Sequence, residues 1–293
     1  MTDVLGNALK DHYHKTSAAK LWVHHRLTIP PQKKPSRKNT GLPETRSAAE
    51  QTDPSRTGSS AGKADPSRTS SSRKKADDGE SREEMPVDVF FRDMEKMPEL
   101  EWVALQQCRG RILDIGAGAG SHALALQRMG QDITALDISP QAVDIMRARG
   151  VKNVVEGDFF QIAGRRVDSR GAGLQGKYDT LLLLMNGIGI SGTTDGLRGF
   201  FAGARTLLKP GGQLLFDSSD VAYLYDGKPP KMEGHYYGEI LHQYEYRRQR
   251  SDWFPWLFID YKTLKDIAGQ EGWSANLLYE DPWEQYLVRC RPQ

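Results

Sequence analysis

From about Met85 onward, short apolar runs alternate with longer amphipathic stretches. Arg111-Ile-Leu-Asp-Ile115, Asp132-Ile-Thr-Ala-Leu136, Val151 to Glu156, Tyr178 to Met185 and Gln213 to Asp217 read as strands. Runs this apolar suit strands buried on both faces, as in a parallel sheet between helical layers. Met97 to Gln107 reads as a helix with Pro98 in its first turn, and Ser121 to Met129 as a second, closed by Gly130. A third starts with Ser139 as N-cap and Pro140 in its first turn, and stops at Gly150. Leu197 to Leu208 is a fourth, ended by Lys209-Pro-Gly-Gly212. Two last strands, Ala275 to Tyr279 and Tyr286 to Cys290, are separated by a short polar turn and should pair antiparallel at an edge.

The chain ahead of Met85 divides in two. Residues 1–30 predict a helical segment, with Val4, Leu5, Ala8 and Leu9 at helical spacing and Leu21-Trp22-Val23 as an apolar anchor on the main domain. Residues 31–82 contain no Phe, Trp, Tyr, Ile, Val, Met or Cys, and Asp53-Pro-Ser-Arg-Thr57 returns as Asp65-Pro-Ser-Arg-Thr69. Such a stretch cannot bury enough apolar surface to offset an ordering cost of roughly 1–2 kcal/mol per residue, so it reads as a disordered basic insertion. The third unit is expected over residues 83–293.

Charge changes this picture little. The net +2 of the chain splits unevenly, because residues 31–82 hold twelve Lys and Arg against seven Asp and Glu, leaving −3 elsewhere. A basic excess confined to an insertion weakens nucleic-acid binding as a reading. Two cysteines, Cys108 and Cys290, exclude a disulfide framework, and no apolar run is long enough for a membrane span. The start of the chain lacks a signal-peptide pattern, so a cytoplasmic location is expected. His12, His14, His24 and His25 lack metal-ligand spacing and read as surface histidines, so no metal is expected.

The chemistry concentrates at strand ends. Leu113-Asp-Ile-Gly-Ala-Gly-Ala-Gly120 joins a strand to a helix through a glycine loop, where a parallel sheet takes its ligands. The dinucleotide spacing G-x-G-x-x-G fails, because Ser121 stands where the third glycine belongs. Asp114 before the loop suits a cationic ligand better than a pyrophosphate, which favours S-adenosylmethionine with its ammonium and sulfonium. Asp137, followed by Ile138, ends the second strand where a carboxylate accepts from a ribose diol. Asp158 ends the third, placed to accept from an adenine amine while Phe159 contacts the ring.

These motifs resemble the class I S-adenosylmethionine-dependent methyltransferases over roughly Glu84 to the C-terminus, closest to a generally named bacterial group of small-molecule type. Asp114-x-Gly-x-Gly-x-Gly120 is similar to the family's first motif, Asp137 to its ribose acid, Gly157-Asp158 to its adenine acid and Leu208-Lys-Pro-Gly-Gly212 to its late turn. The resemblance implies an α/β, Rossmann-like three-layer sandwich whose seven-stranded, mostly parallel sheet ends in an antiparallel strand. It also implies a cofactor set of Asp114, Gly116, Ala117, Gly118, Gly120, Asp137, Ile138, Asp158, Phe159 and Asn186. The sequence departs from the amino-methylating members at Met185-Asn-Gly-Ile-Gly189, which keeps Asn186 but lacks two prolines and an aromatic residue.

Val221 to Ile259 is dense in Tyr, Trp and Phe, and predicts an aromatic lid of two strands, one through Glu239, Gln243 and Glu245, the other Trp253 to Ile259. Within it His235, Tyr236, Tyr237 and Glu239 are the candidates for a base or for orienting the acceptor. The expected function is methyl transfer to a small molecule. The alternatives are a nucleic-acid methyltransferase that uses the basic insertion, and a cofactor-binding interaction module without turnover.

Overall fold

The computed structural model describes residues 2–29, 80–164, 174, 176–231 and 233–293. The expected insertion 31–82 therefore lies outside the described residues except for its last three. In chain order come α1 (Val4–His14), β1 (Leu21–Leu27), β2 (Glu80–Met85), α2 (Glu99–Gln107), β3 (Arg111–Ile115), α3 (Ser121–Arg128), β4 (Asp132–Asp137), α4 (Pro140–Ala148) and β5 (Val154–Glu156). There follow α5 (Phe159–Gly164), β6 (Tyr178–Leu183), α6 (Thr194–Leu207), β7 (Leu208–Ser219), β8 (Glu239–Tyr246), β9 (Gln249–Arg250), β10 (Phe254–Leu257), α7 (Tyr261–Gln270), β11 (Trp273–Glu280) and β12 (Gln285–Pro292).

The first sheet has seven strands in the order β11-β12-β7-β6-β3-β4-β5. Strands β3 to β7 run parallel, and β12 lies antiparallel between β7 and β11. Both faces are covered, as the apolar runs require. Leu100, Ala104, Leu126, Val143 and Met146 of α2, α3 and α4 close on Ile112, Ala135 and Leu182 from one side. Phe159, Phe200, Phe201 and Leu264 of α5, α6 and α7 close on Leu113, Leu181 and Phe216 from the other. Local signals set the ends. Ser139 Oγ accepts from the Ala142 N–H at 3.0 Å to start α4, and Thr193 Oγ1 accepts from Gly196 to start α6 three residues ahead of Leu197. Strand β7 starts early as well, because Leu208 pairs with Tyr178 across a β-bulge before the main ladder begins at Gln213.

The second sheet corrects two expectations. Strands β8 and β10 do pair antiparallel, but they belong to a five-stranded sheet in the order β10-β8-β1-β2, with β9 on β8. The N-terminal segment is thus not wholly helical. Its Leu21–Leu27 run alternates buried and more open positions and fits between β8 and β2. Strand β2 starts at Glu80, ahead of the expected boundary at 83. Arg26 lies opposite Glu80, so the chain leaves and re-enters this sheet at one hairpin end. Helix α1 fills the angle between the two sheets. Val4 and Ala8 pack on Leu21 and Tyr246, while Leu9 packs on Ala142 and Ile145 of α4.

Candidate functional site

The glycine loop follows β3 and is pinned to the neighbouring strand. The N–H groups of Gly116 and Ala117 both donate to the Leu136 carbonyl, and Gly118 N–H donates to Asp137 Oδ2 at 2.8 Å. Gly116 and Gly118 have φ of +74° and +55°, which favour glycine, and a Cβ on Gly116 would point into open space. The loop is thus open at Gly116, whereas the Phe90 ring stands against Gly118, 3.3 Å from where a Cβ would lie.

Beneath the loop, Asp114 is buried and its Oδ2 has no hydrogen-bond partner. Burial pushes its carboxyl up to about 6; His122 opposes this and the charge of Asp137 adds to it. Burial also pushes Asp137 up to about 6, against the N–H groups of Ser139 and Gly118 that bond it. An orphaned buried acceptor at the base of an open cradle fits a ligand ammonium. Ile138, beside Asp137, is 69% exposed, an unusual position for isoleucine that suits contact with a ligand ring.

Asp158 uses its Oδ1 to accept from the Phe160 N–H at 2.9 Å, at the start of α5. The expected role of the Phe159 ring is corrected. Its side chain is buried and stacks on Phe200 at 4.3 Å, and it is Phe160, 40% exposed, that stands open at this strand end. Asn186 follows β6 and shares a left-handed turn with Met185, at φ of 55° and 64°. The buried carboxylate of Asp217 holds this turn by accepting the Asn186 N–H at 2.9 Å, with Gln285 as its second donor. Burial pushes Asp217 up to about 6.

The candidate bases fare differently. Tyr236 donates to Asp260 Oδ2 and Tyr237 to Asp220 Oδ1, each at 2.7 Å. Burial pushes both phenols far above their ordinary range. Glu239 Oε1 accepts from Thr194 N–H and Oγ1–H, both at 2.8 Å, which commits it to the first turn of α6. His235 is exposed in the loop ahead of them.

Several polar residues here escaped sequence reasoning. His122 of α3 bonds Glu101 at 2.9 Å, and Arg92 pairs with the same carboxylate, all three largely buried. Burial works against both charges, yet the pairing holds Glu101 below its ordinary range and His122 above. His24 and His25 are not free surface histidines, since they bond Glu245 at 2.8 Å and Glu83 at 3.0 Å. These contacts join residues distant in sequence and carry no spacing signal.

Comparison with known proteins agrees with this geometry. A methyltransferase domain matches residues 112–212. The crystal structure of a SAM-dependent methyltransferase from Bacteroides fragilis, in complex with S-adenosyl-L-homocysteine, is 32% identical. It covers 99% of this chain and 94% of its own, with a TM-score of 0.69. Ubiquinone biosynthesis O-methyltransferase of Xanthomonas euvesicatoria pv. vesicatoria (strain 85-10) is 25% identical over 189 residues, 63% of this chain and 73% of that protein. The protein of that name from Xanthomonas oryzae pv. oryzae (strain PXO99A) is 27% identical over 180 residues, 59% and 67%. No helix among the described residues is long and apolar enough to cross a membrane. The glycine cradle, the orphaned acid beneath it and a full-length relative holding the demethylated cofactor agree: the chain belongs to the S-adenosylmethionine-dependent methyltransferases.

Proposed function

We propose that this enzyme methylates a hydroxyl oxygen of a small planar acceptor, seated between the turn at Asn186 and the antiparallel sheet. The observation that carries the reading is the aromatic face of that sheet. His242 has Phe254, Trp256 and Phe258 within 6.1 Å, and Phe254 is 5.3 Å from Tyr244. Trp256 lies so close to Gly189, in the turn after Asn186, that a Cβ there would overlap its indole. A flat apolar roof against the end of a central strand excludes water and orders a flat acceptor. The names of the curated relatives, O-methyltransferases of ubiquinone biosynthesis, support oxygen as the acceptor atom.

S-adenosylmethionine, when bound, supplies a methyl group on a positively charged sulfur. In our reading Asp114 accepts from its ammonium and Asp137 from its ribose, while Ile138 and Phe160 flank the adenine and Asp158 accepts from its amine. Arg92, Glu101 and His122 hold the floor of that site rigid. Asp217 fixes the turn through the Asn186 backbone N–H, and Ser219 Oγ donates to the Asn186 Oδ1 at 3.0 Å. The catalytic unit comprises residues 2–29 together with 80–293, because β1 and β2 build the roof.

The test is incubation with S-adenosylmethionine and a panel of hydroxylated aromatic compounds, read by mass spectrometry for gain of one methyl group. Transfer to members of the panel is expected. Transfer confined to RNA or DNA would overturn the reading and favour the basic insertion as a phosphate-binding arm; transfer confined to protein would overturn it without favouring that arm.

A further inference from the structure

The inner face of the antiparallel sheet is set by register. Leu21, Val23 and His25 of β1 lie opposite Tyr246, Tyr244 and His242 of β8, and opposite Met85, Glu83 and Ser81 of β2. At one end of this face Leu21, Met85 and Tyr246 rest on α1, which packs on α4. At the other end Trp256 rests on the turn that follows β6. The middle of the face therefore spans the ends of β4, β3 and β6. Tyr244, in that middle, lies opposite Val23 with its ring 5.3 Å from Phe254, and burial, with the charge of Asp137 adding, pushes it up to about 12.

Two histidines meet there, with ring centres 4.4 Å apart and an interplanar angle of 82°. Their surroundings differ. His242 is enclosed by aromatic rings, and burial, with His25 adding, pushes it down to about 3, so it stays neutral. His25 Nε2 bonds Glu83 Oε1 at 3.0 Å, and the side chains are 17% and 36% exposed. A carboxylate on Nε2 keeps the proton on that nitrogen and leaves Nδ1 able to accept another. Three of the four expected candidates are committed elsewhere, since Tyr236 and Tyr237 donate to carboxylates and Glu239 accepts from Thr194, and the fourth, His235, is exposed in the loop ahead of β8.

We propose that His25, oriented by Glu83, takes the proton from the acceptor hydroxyl, so that a strand outside the parallel-sheet domain completes the catalytic site. This rests on the reading of a hydroxylated aromatic acceptor under the roof. The acceptor oxygen forms a bond to the methyl carbon as that carbon's bond to sulfur breaks. The sulfonium leaves as a neutral thioether, and the hydroxyl proton passes to His25 Nδ1. Glu83 is the positioning residue. The titratable groups placed against His25 are Glu83 on β2 and His242 on β8.

Nitrocatechol tests this, because its colour reports ionisation. Bound to the protein loaded with S-adenosylhomocysteine, it should ionise at lower pH than free dye, with its ionisation constant raised about tenfold or more. His25→Gln should abolish that increase while cofactor affinity is retained, and Glu83→Gln should reduce it. Should His25→Gln lose cofactor binding through misfolding, Glu83→Gln decides by the same readout. Dye held with unchanged ionisation by the native protein, or ionisation as strong in the variants, overturns the role of His25 and leaves the aromatic acceptor standing. Failure of the loaded protein to bind the dye overturns the acceptor class as well.

Discussion

Cofactor affinity should fall steeply in mild acid, for a reason visible at Asp114 and Asp137. Both carboxyls are held at about 6 against an ordinary 3.8. Each bears about 3 kcal/mol against its ionised form, at about 1.4 kcal/mol per pH unit. In our reading each acts on the cofactor as an anion, so protonation competes with binding. The sign follows. A raised folded value means that the cofactor-free protein takes up protons as pH falls through about 6. At pH 5 each acid is about nine-tenths protonated, which weakens binding about tenfold per acid, and up to about a hundredfold for the coupled pair. The same linkage makes the cofactor-free fold lose stability as pH rises through about 6, and bound cofactor should restore it. Calorimetric titration of S-adenosylhomocysteine from pH 8 to pH 5 measures the first effect. In Asp114→Asn the affinity at pH 8 should already be lower, and the further fall to pH 5 should shrink to about tenfold. A flat profile for the native protein, or a variant with the full native fall, would refute the reasoning.

Four further outcomes are expected. Asp137→Ala should weaken cofactor binding by about 1–3 kcal/mol in calorimetry, through lost hydrogen bonds to a carboxylate, while NAD should show no heat of binding with either protein. Gly189→Ala should push Trp256 aside at an overpacking cost of about 1–3 kcal/mol, seen as a shift in tryptophan emission and a fall in turnover with cofactor affinity retained. Tyr237→Phe removes the 2.7 Å bond to Asp220 and should lower stability to denaturant by about 1.5–3 kcal/mol, again with cofactor affinity unchanged. Replacing residues 31–79 by a short glycine-containing turn between β1 and β2 should leave the melting temperature and cofactor affinity nearly unaltered, since the paired strands already bring both ends together.

The parallel sheet was legible in the sequence because its signals are local. Apolar runs mark strands buried on both faces, Ser139 and Pro140 start a helix by their own chemistry, and the Gly116–Gly120 loop needs conformations that favour glycine. Asp137 closes its strand, Asp114 lies one residue before the end of β3 and Asp158 lies two residues past β5, so each is legible beside an apolar run. What the second sheet does depended on distance. Leu21 pairs with Tyr246, 225 positions away, and a half-buried strand shows the same alternation whichever partner it meets. His25 and His242 therefore gave no sign of sharing a face, and the surface reading of His25 failed. Between Phe159 and Phe160 the choice of core or cleft turns on how α5 docks against Phe200. Glu239 looks like a candidate base until α6 sets its first turn against that carboxylate. Local propensity determined which elements form; only the packing of distant elements decided which polar side chains remain free to act on an acceptor.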